Sequence, residues 1–413
     1  MLNEKSIREL CYVVTVDDIK PIDGADNVEI AVVGGWRIMV RKNVFLPGDY
    51  AIYFEIDSRV PAREPFLFLE PKHFKVKTQK YFKGTVISQG LLMSFQDFCV
   101  NGEKPDWLVK LEKRMAKGED VNHTFLTDAL GVVYADPADN DRKGKGVDKY
   151  RSMASRNAKL FKKQPYRFLM QHEWGKKFLF LFFGKSKNEN KKRFPNHMPY
   201  IVPTDQERCE NMPWVLEDKT PYIKTSKCDG SSATYILERK RKGFEFYVCS
   251  RKVRQLTPDQ DCFHKENYYW KAAKKYDIEN KLKDYLKKHP DLKYVCWQGE
   301  LCGPSIQGNP HKLKDIHLFL FHFIDSSIGK YDILKAKEIW NEYDMESVAI
   351  LDPAYVMPDD FEEFKLSADG YYPPEECEGN KKCTQEGYVY YKTTDPNFSF
   401  KNVSRKYLLK HSQ

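Results

Sequence analysis

The sequence predicts an α+β chain, with an all-β barrel at the N-terminus and a mixed α/β domain at the C-terminus. Three observations predict it. Short β-branched runs separated by turn residues fill residues 1–125. A stretch crowded with Lys and Arg spans 126–199 and breaks that pattern. From 200 to 413 strand-like runs mix with helical ones. The 413 residues are enough for two or three domains with cores of their own.

In the first domain, apolar and β-branched runs occur at Leu10 to Val16, Val28 to Val33, Trp36 to Val40, Tyr50 to Ile56 and Val86 to Met93. Turn residues separate them, at Asp23-Gly24-Ala25-Asp26, Gly34-Gly35 and Pro47-Gly48-Asp49. Gly-Gly between two alternating runs signals a hairpin. Five or so short strands with such turns suit a small closed barrel of the OB type, which most often binds single strands or nucleic-acid backbone.

The net charge is +9. Between Arg142 and Arg193 there are 17 Lys/Arg against 3 acids (Asp148, Glu173, Glu189), a surplus of +14, so the rest of the chain sums to −5. Charge concentrated in this way suits a polyanion such as nucleic acid, or equally a solvated, partly disordered insertion. The middle of the connector, Met153 to Phe183, reads as helical, and Lys185 to Arg193 as a loop. No apolar run approaches the roughly 20 residues of a membrane span, and the N-terminus lacks the apolar core of a secretory signal. Ten cysteines without regular spacing point to reduced thiols in a cytoplasmic or nuclear protein.

In the last domain Glu266 to Lys288 is the clearest helix, with Tyr269, Ala273, Leu282 and Tyr285 as apolar points and Pro290 as its stop. The sharpest chemical element is Lys227-Cys228-Asp229-Gly230, set between the strand-like runs Tyr222 to Ser226 and Ala233 to Glu238. A solvated lysine titrates near 10.4. Burial or nearby cations would lower that value and free the amine to act as a nucleophile. Gly230 would let the backbone approach a nucleotide closely. Alone, such a tetrapeptide is more often an ordinary surface turn.

Its downstream order is more specific. Ser250-Arg251 closes the run Phe244 to Cys249. Trp297-Gln298-Gly299-Glu300, the aromatic run Leu318 to Asp325, Glu386-Gly387-Tyr388-Val389 and Ser399-Phe400-Lys401 follow in turn. In that order they resemble the motifs of the covalent nucleotidyltransferase superfamily of polynucleotide ligases and capping enzymes. The chain is most similar to ATP-dependent RNA ligases of the Naegleria and Deinococcus type, which carry their OB domain at the N-terminus. Ile22 to Glu29, Tyr53 to Asp57, Thr204-Asp205-Gln206-Glu207-Arg208, Gly303 to Asn309 and Ala368-Asp369-Gly370 carry that likeness. It covers about 8–125 and 200–410. In many relatives the terminal motif is Lys-x-Lys; here Val403 stands two after Lys401, and Lys406 is the substitute candidate. The stretch from Asp369 to Glu386 is longer and more acidic than the family pattern and reads as a surface loop.

The resemblance implies a ligase joining an RNA 3′-hydroxyl to a 5′-phosphate through a lysyl-AMP on Lys227, in RNA repair. It implies ATP and a divalent metal, Mg²⁺ or Mn²⁺, as cofactors. Lys401 and Lys406 would hold the α-phosphate and help lower the Lys227 pKa. Glu386, with Asp229, would hold the metal. Glu300 and Arg251 would contact the ribose, Phe321 would stack on adenine with Phe323 as fallback, and Arg208 would lie near the phosphates. A monomer and no membrane association are expected. Alternatives are an RNA capping guanylyltransferase or a DNA ligase, or a non-catalytic OB-type RNA-binding protein. The first two usually carry an OB domain after the last lysine motif, and only 12 residues follow Lys401.

Overall fold

The structure, a computed structural model, describes residues 1–4, 6–84, 86–99, 102–135, 153, 157–183, 201–251, 253–255, 257–258, 267–380 and 382–411. The expected loop from Lys185 to Arg193 lies outside them.

The β-branched runs of the first domain form strands as their patterning requires. Cys11–Thr15 and Leu91–Met93 pair antiparallel with the two edges of Tyr50–Phe54. Val28–Val33 and Trp36–Arg41 form the Gly34-Gly35 hairpin, with Val33 opposite Trp36, and Asp18–Pro21 adds a third strand. The run Val86 to Met93 is two strands, broken at Gly90 with φ +100°. The domain is not purely β. Asp106–Met115 is a helix, because Leu108 and Leu111, three residues apart, bury one face while Lys110 and Lys113 meet water. Val133–Tyr134 pairs with Ser58–Arg59, so paired structure continues past residue 125.

Two five-stranded sheets build the last domain, whose mixture with helices makes the chain α+β. One sheet orders Glu207–Arg208, Asp395–Val403, Gly387–Lys392, Tyr222–Ser226 and Ile350–Tyr355 side by side. The other orders Phe244–Ser250, Ser231–Arg239, Tyr294–Cys302, His317–Asp325 and Gly329–Lys330. The expected helix up to Lys288 is two, Tyr268–Lys275 and Ile278–Lys288, because Asp277 takes a left-handed conformation (φ 49°) between them. Asn267 caps the first by accepting the Tyr269 N–H at 2.9 Å. Leu282, Leu286, Trp297, Phe323 and Trp340 are fully buried between these helices and the second sheet.

The domains share core residues. Val403 and Leu408, from the end of the last strand and the C-terminal helix Arg405–His411, are buried among Tyr12, Trp36, Tyr53 and Leu92 of the barrel. No described helix is long and apolar enough to cross a membrane.

Candidate active site

Ser226 ends a strand of the first sheet and Ser231 begins one of the second, so Lys227 to Gly230 is the segment that crosses between them. The Lys227 N–H donates to the Gly387 carbonyl at 3.0 Å, and Cys302 Sγ lies 3.8 Å from the Asp229 carbonyl. A Cβ on Gly230 would fall 2.2 Å from the Leu301 carbonyl oxygen and 2.8 Å from Cys302 Sγ. The glycine is therefore required by its approach to the neighbouring strand, a reason different from the expected approach to a nucleotide.

The Asp369 to Glu386 stretch is not a surface loop. It folds under the Lys227 segment and braces it. The Tyr372 hydroxyl donates to the Lys227 carbonyl at 3.0 Å and accepts the N–H groups of Asp229 and Glu386, each at 3.1 Å. The Tyr372 ring stacks on His311, centroids 4.0 Å apart. His311 Nε2 accepts the Asp229 N–H at 3.3 Å while Nδ1 meets the Glu376 carbonyl at 2.9 Å, which fixes the neutral tautomer with its proton on Nδ1. Burial pushes the His311 pKa down to about 4. Glu376 itself is buried and accepts from the Ser226 hydroxyl and, at 2.9 Å, from the Ala349 N–H. Nothing in composition marks this brace, because its partners lie far apart in sequence.

Lys227 Nζ lies 2.8 Å from Glu386 Oε1, with the lysine side chain 22% exposed. Burial lowers its pKa, but Glu386, Glu300 and Asp229 together outweigh burial, and the net direction is up. This corrects the expectation of a depressed amine: in the ligand-free chain Lys227 is held as a cation by three carboxylates. The same crowding acts in reverse on the acids. Burial, and then Glu386, raise Asp229 to about 7. Burial raises Glu300 to about 7, Lys227 and Arg251 opposing it. The depressed amine is Lys401, brought to about 8 by burial although Asp205 opposes the shift. Its Nζ is 2.7 Å from Asp205 Oδ1.

These groups open on one cavity of about 770 Å³, within the usual range for small-ligand sites. Lys227, Asp229, Gly230, Arg251, Glu300, Phe321, Glu386, Lys401 and Arg208 all line it. Phe321 does so because its strand carries a β-bulge. Gln298 pairs with His322 and Gly299 with Leu320, so Phe321 is the extra residue and its ring is re-aimed. Phe323, the fallback, is fully buried against Tyr285 and Tyr331 instead. Alternate residues of a regular strand share a face, and the bulge breaks that relation between Phe321 and Phe323. Arg208 reaches the cavity wall but also donates to Asp57 of the barrel at 3.0 Å.

Lys406 is not brought in. It stands on the outer side of the C-terminal helix, 70% exposed, its Nζ 3.9 Å from Asp369. One residue further round the helix, Tyr407 points inward and donates to Asp229 Oδ2 at 2.5 Å. Arg8, from the N-terminal domain, also lines the cavity, donating to Glu55 at 3.1 Å. Tyr372, His311, Tyr407, Arg8 and Asp205 were not singled out as site residues from sequence; only Asp205 carried a signal, within the Thr204 to Arg208 run.

Comparison with known proteins agrees with this architecture. Residues 10–95 match the OB-fold domain model and residues 220–408 the RNA ligase family model. No curated protein sequence matches the chain significantly. Among solved structures, an apo variant of the Naegleria gruberi RNA ligase superposes with a TM-score of 0.70 at 24% identity, covering 98% of this chain and 100% of that one. The Naegleria gruberi ligase with PPi gives 0.69 at 24%, covering 98% and 99%. A variant with ATP and Mn gives 0.69 at 24%, covering 98% and 100%. At that identity the likeness speaks to the fold, and the family match speaks to the domain. Residues 220–408 thus match the RNA ligase family, with a match to an OB-fold domain placed ahead of them.

Proposed function

We propose that this RNA ligase uses ATP to join an RNA 3′-hydroxyl to a 5′-phosphate through a lysyl-AMP on Lys227. The observation that carries the reading is the convergence of Lys227, Glu386, Asp229, Glu300 and Lys401 on a single nucleotide-sized cavity. Lys227 Nζ attacks the α-phosphorus, the bond to the β-phosphate oxygen breaks, and pyrophosphate leaves. The adenylyl group passes to a 5′-phosphate oxygen of RNA and the amine is released. The 3′-hydroxyl then attacks that phosphate, AMP leaves, and a phosphodiester remains.

Such transfers need little covalent help beyond the nucleophile, so the side chains position and neutralise. Lys401 reaches the α-phosphate by giving up Asp205. Phe321 stacks on adenine, and Glu300 and Arg251 hold the ribose. Arg208 stands toward the phosphates. No cage of three or more metal-ligating side chains exists among the described residues. Glu386 and Asp229 nonetheless fit Mg²⁺ or Mn²⁺, which bind through one or two carboxylates completed by phosphate oxygens. Bound there, the cation would neutralise carboxylates that now keep Lys227 protonated. All nine described cysteines are free thiols, in keeping with a cytoplasmic or nuclear enzyme, and we take it to act as a monomer.

Incubation with α-labelled ATP and Mg²⁺ or Mn²⁺ tests the reading. A labelled protein band stable to denaturation should form, and Lys227→Ala should abolish it. A band formed with GTP in place of ATP would instead mark a capping enzyme. No band with either, alongside RNA binding, would leave a non-catalytic RNA-binding protein.

A further inference from the structure

The connector helices Tyr166–Gln171 and Glu173–Phe183 are absent from the chemistry above, yet they present an unusual surface. One side of the second helix buries Leu179 against Phe161 and Met153. The opposite side should be polar, but Trp174, Phe178 and Phe182 project from it, 60%, 50% and 68% exposed. They are four residues apart, so each ring stands about 6 Å further along the axis, at 1.5 Å per residue. Phe178 and Phe182 lie 5.2 Å apart at 60°, and His172 extends the row with its ring parallel to Trp174. A contiguous exposed aromatic row of this kind marks a binding surface.

Its surroundings say what binds. Lys163, Arg167 and Lys177 of the same connector are exposed, and Glu173 is the one acidic residue in the sequence from 157 to 183. The helices are also placed with respect to the active site. Lys162 Nζ donates to the Pro258 carbonyl at 3.1 Å. Pro258 follows Arg251 and Val253 in sequence, and those two line the cavity. Aromatic platforms interleaved with cations are how proteins hold single-stranded nucleic acid, the bases stacking and the backbone neutralised.

We infer that the aromatic row Trp174-Phe178-Phe182, with Lys163, Arg167 and Lys177 of the same connector, is a stacking platform for single-stranded RNA. The inference rests on the RNA ligase reading for its substrate, but it concerns a surface that reading does not use. The strand adjoining the end being joined lies along the helix, bases on the rings and phosphates toward the cations. An anionic membrane could also attract basic and aromatic side chains. The tie through Lys162 to the stretch that follows Arg251 and Val253 favours RNA.

The test uses the full chain and its Trp174→Ala/Phe182→Ala and Lys163→Glu/Lys177→Glu variants. Three quantities are measured: anisotropy with a labelled 5′-phosphorylated single-stranded RNA, sedimentation with phosphatidylcholine vesicles containing phosphatidylserine, and self-adenylylation with labelled ATP. Both variants should bind RNA about tenfold or more weakly, in line with stacking of a base or two. The charge variant should also show a shallower salt dependence. Adenylylation should be unchanged, because neither pair touches the cavity. Unchanged RNA affinity in both variants overturns the inference. So does loss of vesicle binding without loss of RNA binding. Absence of adenylylation in the wild-type chain would count against the ligase chemistry while leaving the RNA-binding result to be read by itself.

Discussion

At the scale of single residues, the motif lysine and its acids were legible because their spacing is local, while their charge states were not. Lys227 is flanked in sequence only by Asp229, but Glu300 and Glu386 arrive from strands far along the chain and reverse the expected pKa direction. Lys401 shows the opposite case: burial wins over its one acidic partner. His311 is a residue no pattern marked. It is neutral in the fold with a pKa near 4, below the 6.5 of a free imidazole. Stability from this neutral form is complete above about 6.5 and is lost as the pH falls toward 4, since proton uptake on Nε2 removes the acceptor for the Asp229 N–H. Thermal melts of the ligand-free chain should fall across that window, and His311→Gln should flatten the fall. An unchanged slope in the variant would assign the acid sensitivity elsewhere.

At the scale of elements, strands whose apolar alternation was regular appeared where expected, and the misreadings came from residues that break a regular element. Asp277 splits a helix that composition alone would run through, and Phe321 adds a residue to a strand whose sequence looks even. The brace around Tyr372 was misread because acidic, cysteine-bearing stretches resemble solvated loops; here Tyr372, Cys377 and Cys383 form a small buried cluster. The Tyr372 hydroxyl serves the Lys227 carbonyl and the N–H groups of Asp229 and Glu386. Tyr372→Phe leaves the Lys227 carbonyl and the Glu386 N–H without that partner, while the Asp229 N–H keeps His311, at a cost of about 1–3 kcal/mol. The adenylylation rate should drop by about tenfold or more in single-turnover assays, while the melting temperature falls by only a few degrees. A variant with wild-type adenylylation would show that the brace is not needed to aim Lys227.

At the scale of the whole molecule, the two-part organisation was readable from composition, but the seam between the parts was not, because each side of it looks like ordinary polar surface. Asn211 sits on that seam. Its amide donates to Glu55 and to Glu207, each at 2.8 Å, and its carbonyl accepts from Trp36 Nε1 at 2.6 Å and from Tyr12 at 3.0 Å. Glu55 is fully buried, so Asn211→Ala would strand polar groups inside the molecule and should destabilise it by about 3 kcal/mol in urea titrations. A loss under 0.5 kcal/mol, the range of ordinary surface changes, would mean that the seam rests on its apolar contacts alone.

Those apolar contacts order the events of synthesis. The ribosome delivers the barrel strands well before Val403 and Leu408, two of the side chains packed against them. Until they emerge, the nascent barrel has a greasy notch beside Trp36 and Leu92, a surface for chaperones or for aggregation. The same late segment carries Tyr407 to Asp229, so one helix both seals the first domain and completes the wall of the cavity.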